Sequence, residues 1–323
     1  MRKNVLITGG AGFIGRYLCD LYLSKGYDVL IIDNLSTGNI QNINFIKNKY
    51  STKNCKFSFV KSSVENYKFL NRDVKKSSLV IHLAAAVGVQ TILDKPIQSM
   101  KSNLKSTEII LDACKLYNKP IFFSSTSEVY GKSSKNPFVE DGDVVYGSSR
   151  KIRWSYAASK LLDEFLALSY YNEYKLPVVI GRFFNTVGKH QSSSYGMVIP
   201  RFIKQAKEND QITVHGTGNQ SRTFTDVEEV CKCVYLLMKN RKSYGEVVNI
   251  GGKKDIKIIN LAKKIIKLTK SKSKIKIIPY KKAYSSIYED MNNRNPSTKK
   301  LRNLIGFSPK LNIDEILIKI VSK

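Results

Sequence analysis

The chain has 323 residues, 42% of them hydrophobic, which is enough for a large core and for a second lobe beside a first domain. Its formal net charge of +28 is spread along the whole length with no recognition-helix or aromatic RNA-binding motif, so nucleic acid is not the expected partner, and such a field suits an anionic small substrate. No apolar run reaches the roughly 18–20 residues of a membrane span, and MRKNVLITGG lacks the apolar stretch of about 7–15 residues that a secretory signal needs, so a soluble, cytoplasmic chain with no membrane partner is expected.

Residues 4–8 (NVLIT) form an apolar run ended by glycines and read as a buried strand. A helix follows over 13–26, then strands over 28–34, 56–63 and 78–86. A helix over 97–118 leads to a strand at 120–126, and a helix over 154–174 to a strand at 177–185. Alternation of this kind builds a parallel sheet with helices on both faces. Beyond Asn185 the pattern loosens: a polar loop at 189–196, a helix over 197–210, strand and turn over 211–229, a returning strand at 245–252, and a helix, short strand and terminal helix after 253. The expected fold is α/β: a Rossmann-type doubly wound parallel sheet with a smaller discontinuous α/β substrate lobe. Residues 1–180 make the first domain, with 221–252 returning to it; 181–220 and 253–323 make the lobe. Cys19, Cys55, Cys114, Cys231 and Cys233 show no zinc-finger spacing and read as buried free thiols, with Cys231 and Cys233 on different faces if helical. His82 reads as structural, and His190 and His215 form no metal-ligand cluster, so no metal is expected.

TGGAGFIG (8–15) lies between the first strand and first helix. Gly9 permits a tight turn, Gly12 lets backbone approach a pyrophosphate, and Gly15 lets helix and strand pack closely. The helix N-terminus then offers free N–H groups to phosphate. Asp33 ends the second strand, where a carboxylate binds the ribose 2′-hydroxyl and repels a 2′-phosphate, so NAD is expected over NADP. Arg16 is a mild counter-signal whose plainer reading is an exposed helix residue. Tyr156 and Lys160 in WSYAASK are four apart, on one helix face. A nearby ammonium and a nicotinamide cation favour the phenolate of a tyrosine, which then takes a proton from a sugar hydroxyl.

With HLAAA (82–86), SSTSEVYG (124–131), RFFNTVG (182–188) and GTGNQSRTFTDVEEV (216–230), these motifs make the chain resemble the extended short-chain dehydrogenase/reductase family, in particular its NAD-dependent nucleotide-sugar epimerases, dehydratases and decarboxylases. The resemblance implies a catalytic set of Thr126, Tyr156 and Lys160. It implies cofactor contacts at Phe13, Ile14, Asn34, Ser36, Gly38, Leu83, Ala84 and Ala85, besides Gly9, Gly12, Gly15, Asp33, Tyr156 and Lys160. It implies substrate contacts at Asn185, Arg201 and Arg222, and a homodimer through the helices near 97–118 and 154–174. The family commonly has an acid near adenine where this chain has KSS (61–63), so a contact at Ser63 is not carried over.

All three reactions begin with oxidation at C4 of the sugar. A 4-epimerase needs nothing at C5 and gives Glu128 no work. A 4,6-dehydratase needs an acid for the leaving hydroxyl, and serine at 127 is a poor substitute for aspartate. A uronate decarboxylase needs only orientation of a β-keto acid and donors for the enolate. Thr126-Ser127-Glu128 resembles UDP-glucuronate decarboxylases, with Ser127 and Glu128 expected as catalytic residues that hold the carboxylate end. YEDMNNRNPS (288–297) resembles an element of those of the aminoarabinose type, whose catalytic arginine falls on Arg294, and RWSY (153–156) resembles their segment before the tyrosine. The expected substrate is a UDP-sugar, with decarboxylation of a UDP-uronate ahead of 4-epimerisation and 4,6-dehydration.

Overall fold

The computed structural model describes the chain except residues 1–2, 87, 89–91, 93, 194–196, 284–288, 292 and 323. Tyr288 of the YEDMNNRNPS element and the end of the 189–196 loop lie outside the described residues. β1 (Asn4–Thr8) buries Val5, Leu6 and Ile7. A strand covered on both faces needs an unbroken apolar run rather than alternation, because helices lie on each side. There follow α1 (Phe13–Ser24), β2 (Asp28–Asp33), α2 (Ile40–Tyr50), β3 (Phe57–Lys61), α3 (Leu70–Lys76), β4 (Leu79–His82), α4 (Pro96–Leu116) and β5 (Ile121–Thr126). A short 3-10 helix (Ser127–Tyr130) precedes α5 (Arg153–Tyr174) and β6 (Val178–Phe183). The chain continues through β7 (Thr186–Val187), α6 (Val198–Lys207), β8 (Ile212–His215), β9 (Ser221–Thr223), β10 (Thr225–Asp226), α7 (Val227–Lys239) and β11 (Glu246–Ile250). It ends with β12 (Asp255–Lys257), α8 (Ile258–Thr269), β13 (Ile275–Ile278), α9 (Tyr280–Ala283), α10 (Lys299–Ile305) and α11 (Ile313–Val321).

Seven parallel strands form one sheet in the order β11-β6-β5-β4-β1-β2-β3. The order reverses between β1 and β4, whose last residues Thr8 and His82 lie in register. Ligands of doubly wound sheets bind at such a reversal, beyond the carboxyl ends of the strands. One apolar cluster joins α1, α2 and α7 to one face of the sheet, and another joins α3, α4 and α5 to the other. A third holds the lobe together: Ile199 and Phe202 of α6, Ile212 and Val214 of β8, Leu261 and Ile265 of α8, and Ile316 and Leu317 of α11. Late in the chain α10 returns to the sheet, with Leu301 buried in the first cluster.

Five helices, α2, α3, α7, α9 and α10, are absent from the sequence reading. Strand and turn over 211–229 is corrected at its end: Asp226 accepts hydrogen bonds from the Glu228 and Glu229 N–H groups and starts α7. An aspartate followed by two glutamates and an apolar series is a helix start, favoured by capping and the helix dipole. Cys231 and Cys233 point to different faces of α7, yet both are buried, because α7 lies among the sheet, α1 and α10. The fourth strand stops at His82 rather than 86, since Leu83–Ala85 turn over the glycine-rich loop.

Asp226→Ala removes the α7 cap. It is expected to lower stability by about 1–2 kcal/mol in urea unfolding while leaving dinucleotide affinity unchanged.

Candidate active site

The glycine loop and the start of α1 occupy the reversal point. Gly9 has a φ of +71°, and a Cβ there would lie 2.7 Å from the Ala84 backbone nitrogen, so this position takes glycine for both conformation and space. A Cβ on Gly15 would run into the Gly9 carbonyl and the Gly10 backbone, so α1 sits directly on the turn. Ala11 N–H donates to Asp33 Oδ2 at 2.9 Å and Leu35 N–H to Oδ1 at 2.7 Å. Burial raises the Asp33 carboxyl above its ordinary value, and these two N–H groups oppose that. A carboxylate has about four acceptor positions, so two remain for ribose hydroxyls. Gly38 closes over Asp33, and Asn34 Oδ1 takes the Ser36 N–H at 2.9 Å to shape the same loop. Thr8 Oγ1 bonds His82 Nδ1 at 2.8 Å, while Ala84 N–H donates to that hydroxyl at 3.3 Å. His82 is thus a structural post for Leu83–Ala85, held neutral by burial and by Lys160, which push it down to about 3. Phe13 and Ile14 open α1 and are partly exposed beside the loop. Arg16, read as an exposed helix residue, is partly buried: its guanidinium lies 4.0 Å over the Phe45 ring and donates to Asn42 Oδ1 at 3.2 Å, both on α2.

The end of β5 and the start of α5 carry the second group. Thr126 Oγ1 accepts the Glu128 N–H at 3.3 Å and caps the 3-10 helix. The backbone uses one of its two lone pairs, and its O–H proton remains available to donate. Ser127 is buried in that turn. Tyr156 is partly exposed on α5, one turn before the buried Lys160. Burial pushes the Tyr156 phenol well above its usual value. Glu128 and Asp163 act in the same direction, and Arg153 and Arg294 act against it, so these groups share one electrostatic environment.

Glu128 is the centre of a buried row of charges. Its Oε2 pairs with Arg153 Nη1 at the first residue of α5, and its Oε1 lies 3.4 Å from Arg294 Nη1. Arg294 Nη2 reaches Asp290 Oδ1 at 3.2 Å, and Asp290 Oδ2 reaches Arg222 Nη2 at 2.8 Å. Burial alone would raise both carboxyls. Arg153 and Arg294 outweigh it at Glu128 and lower its pKa, and Arg222, Arg294 and Arg153 outweigh it at Asp290, bringing that one down to about 2. Three guanidinium groups thus face two carboxylates in this row. The Nε of Arg294 is buried without a hydrogen-bond partner among the described residues.

The structure brings Thr126, Ser127, Glu128, Tyr156, Lys160 and Arg294 to one end of the sheet, together with the glycine loop. Asn185 Nδ2 donates to the Thr223 carbonyl at 2.9 Å and ties the end of β6 to β9. Arg222 is engaged by Asp290, and Arg201 braces β8 through the Thr213 carbonyl at 3.1 Å and His215. Burial and Arg201 take His215 down to about 4. Arg153 and Asp290 were missed as site residues. Arg153 lies three before Tyr156, on the same helical face, a spacing that signals it; Asp290 stands in an irregular segment, where no periodicity points inward.

Residues 6–320 match the profile of the GDP-mannose 4,6 dehydratase family. The chain belongs to this family. Its fold is that of the extended short-chain dehydrogenase/reductases. It is 38% identical over 317 residues to the UDP-N-acetyl-alpha-D-glucosaminuronate decarboxylase of Bacillus cytotoxicus, covering 98% of this chain and 95% of that one. It is 29% identical over 327 residues to the UDP-glucuronic acid decarboxylase 1 of Danio rerio, covering 99% and 72%. The crystal structure of UDP-glucuronic acid 4-epimerase from Bacillus cereus, with UDP-glucuronic acid and NAD, superposes with a TM-score of 0.86 at 27% identity, over 98% of this chain and 97% of that one.

The folded Glu128 carboxyl lies below its unfolded value, so its stabilising effect is complete above about pH 4.3 and disappears as pH falls through the folded value. Glu128→Gln removes the anion between Arg153 and Arg294, leaving Asp290 as the carboxylate beside Arg294, and is expected to cost about 3 kcal/mol at neutral pH, narrowing in acid, in denaturant titrations across pH.

Proposed function

We propose that this family member is an NAD-dependent enzyme that oxidises a UDP-uronate at C4 and releases its C6 carboxylate as CO2. One observation carries the reading: the Glu128 carboxylate buried between Arg153 and Arg294, in the electrostatic environment of Tyr156. A neutral hexose gives such a group no task, whereas the extra positive charge of the row suits a carboxylate on the sugar. The Bacillus cytotoxicus relative supports UDP-N-acetylglucosaminuronate as the first sugar nucleotide to try. The cradle fits NAD, which would be held by the Gly9–Gly15 turn, Asp33 and Leu83–Ala85 and would supply hydride acceptance at C4.

Tyr156 takes the proton of the C4 hydroxyl, and Thr126 donates to the same oxygen. The resulting ketone is β to the carboxylate. The C5–C6 bond breaks, its electron pair passes towards the C4 oxygen, and CO2 leaves. Thr126 and the protonated Tyr156 stabilise the enolate oxygen. Arg153 and Arg294 orient the carboxylate beforehand, and water ordered by Arg294 returns a proton to C5. Asn185 and Arg222 are the side chains proposed for the diphosphate end, with Arg201 beside the nucleotide. The Bacillus cereus structure favours a second reading, 4-epimerisation with the carboxylate retained.

Incubation with NAD and UDP-N-acetylglucosaminuronate or UDP-glucuronate is expected to yield, in mass spectrometry, a product lighter by CO2 where the reduced cofactor returns its hydride to C4, or by CO2 and two hydrogens where the 4-ketopentose is released with NADH, with Arg294→Ala slower by about 100-fold or more. An isobaric product from every uronate tried would decide for epimerisation.

We also infer a homodimer through α4 and α5. Leu162 and Phe165 on α5 and Leu116 on α4 are each more than half exposed, more apolar surface than a solvated helix pair needs. Phe165→Glu is expected to give monomers in sedimentation velocity at micromolar concentration.

A further inference from the structure

Lys160 lies at the floor of the site beside a second buried ionisable group that the reaction does not use. Its Nζ is 3.1 Å from Asp163 Oδ2, with the two side chains 3% and 0% exposed. The pair is one helical turn apart on α5, hence on one face. Nζ also lies 4.0 Å over the Phe123 ring of β5. The other titratable neighbours are committed elsewhere. Glu164, next in sequence, is bound to Arg182 at 2.8 Å and to Ser125. His82 of β4 is neutral, and Tyr156 lies one turn away. From α4, the Thr107 hydroxyl stands beside Asp163, but neither Thr107 Oγ1 nor Asp163 Oδ1 completes a hydrogen bond among the described residues. A wholly buried carboxylate with one oxygen unsatisfied is costly. Burial raises the Asp163 carboxyl above its ordinary value, and Lys160 is the first group to oppose that, with Thr107 after it.

We propose that Asp163 is a positioning residue that fixes the Lys160 amine in the floor of the site as a charged ammonium. Burial pushes Lys160 below its ordinary value, and Asp163, then Glu164, push it back. Without Asp163 the amine would stand in an apolar enclosure with no carboxylate of its own. The pairing also shifts work onto other residues. An ammonium already matched by a carboxylate exerts a weaker net field on Tyr156, and Arg153 and Arg294 add to it by lowering the phenol. The inference rests on Lys160 as the partner of Tyr156, and it holds equally for decarboxylation and epimerisation.

The test compares thermal unfolding midpoints of the full chain without substrate, for the parent and Asp163→Asn, from about pH 7 to about pH 10. In the variant the folded lysine pKa falls far below its unfolded value of about 10.4, so the unfolded state binds more protons between the two and stability rises with pH. The variant's deficit in midpoint is therefore expected to shrink as pH rises, and the alkaline limb of its kcat profile to move down by about one unit or more. A deficit independent of pH, or an unmoved alkaline limb, overturns the proposal. If Asp163→Asn does not fold, the double variant Lys160→Met with Asp163→Leu is decisive. It should fold with a midpoint near the parent's, because a buried ion pair replaced by apolar groups of similar size is tolerated. A double variant that also fails to fold assigns Asp163 to the scaffold alone and overturns the proposal. The unfolding measurement needs no substrate, so an incorrect choice of sugar cannot produce either result.

Discussion

The Glu128 carboxylate lies between two guanidinium groups, one close to it in sequence and one far from it: Arg153 at the head of α5 and Arg294 in the irregular segment before α10. A carboxylate in that position is stable only while both cations remain, and each cation is stable only while it has an anion. The pairing therefore joins the sheet domain to the late segment of the chain. Asp290 extends the bond to Arg222 on β9. The row and Tyr156 share one electrostatic environment, since the phenol feels Glu128, Arg153 and Arg294 together.

Around this row the sheet supplies rigidity. The reversal of strand order between β1 and β4 opens a crevice, and the close approach of Gly9 to Ala84 sets its width. Thr8 and His82 cross-brace the two strand ends, while Asp33 ties down the glycine turn and its own loop. The glycine turn, Asp33 and Leu83–Ala85, proposed to hold the dinucleotide, each end or follow a strand of the sheet. Such anchoring keeps the reacting atoms within the tolerance that hydride and proton transfer require.

Nucleotide-sugar enzymes of this fold share the oxidation at C4 and diverge afterwards. On the proposed mechanism the shared part in this chain is Thr126, Tyr156 and Lys160, and the divergent part is the arginine-flanked Glu128. The two parts are not electrostatically independent. Lys160 is matched by Asp163, and the arginines that hold Glu128 also bias Tyr156, so the group proposed to select the reaction would also tune its first step.

The sequence by itself determined the parallel sheet, the glycine turn, Asp33, the Tyr156–Lys160 pair and the interest of Glu128. These are local signals: unbroken apolar runs, glycines at fixed offsets, and residues four apart on a helix. It missed α7, although Asp226 and two glutamates marked its start, and it missed α2 and α3, whose polar stretches show only weak periodicity. It gave no role to Arg153, Asp163 or Asp290. Only the tertiary structure decided that Glu128 is an ion-pair centre, that Arg222 and Arg294 share one carboxylate, and that Lys160 is matched within its own helix. The physical reason is burial. A charged residue in a sequence is by default a solvated one, and the partner that makes its burial affordable is identified only when the fold brings segments such as 128, 153 and 294 to one point.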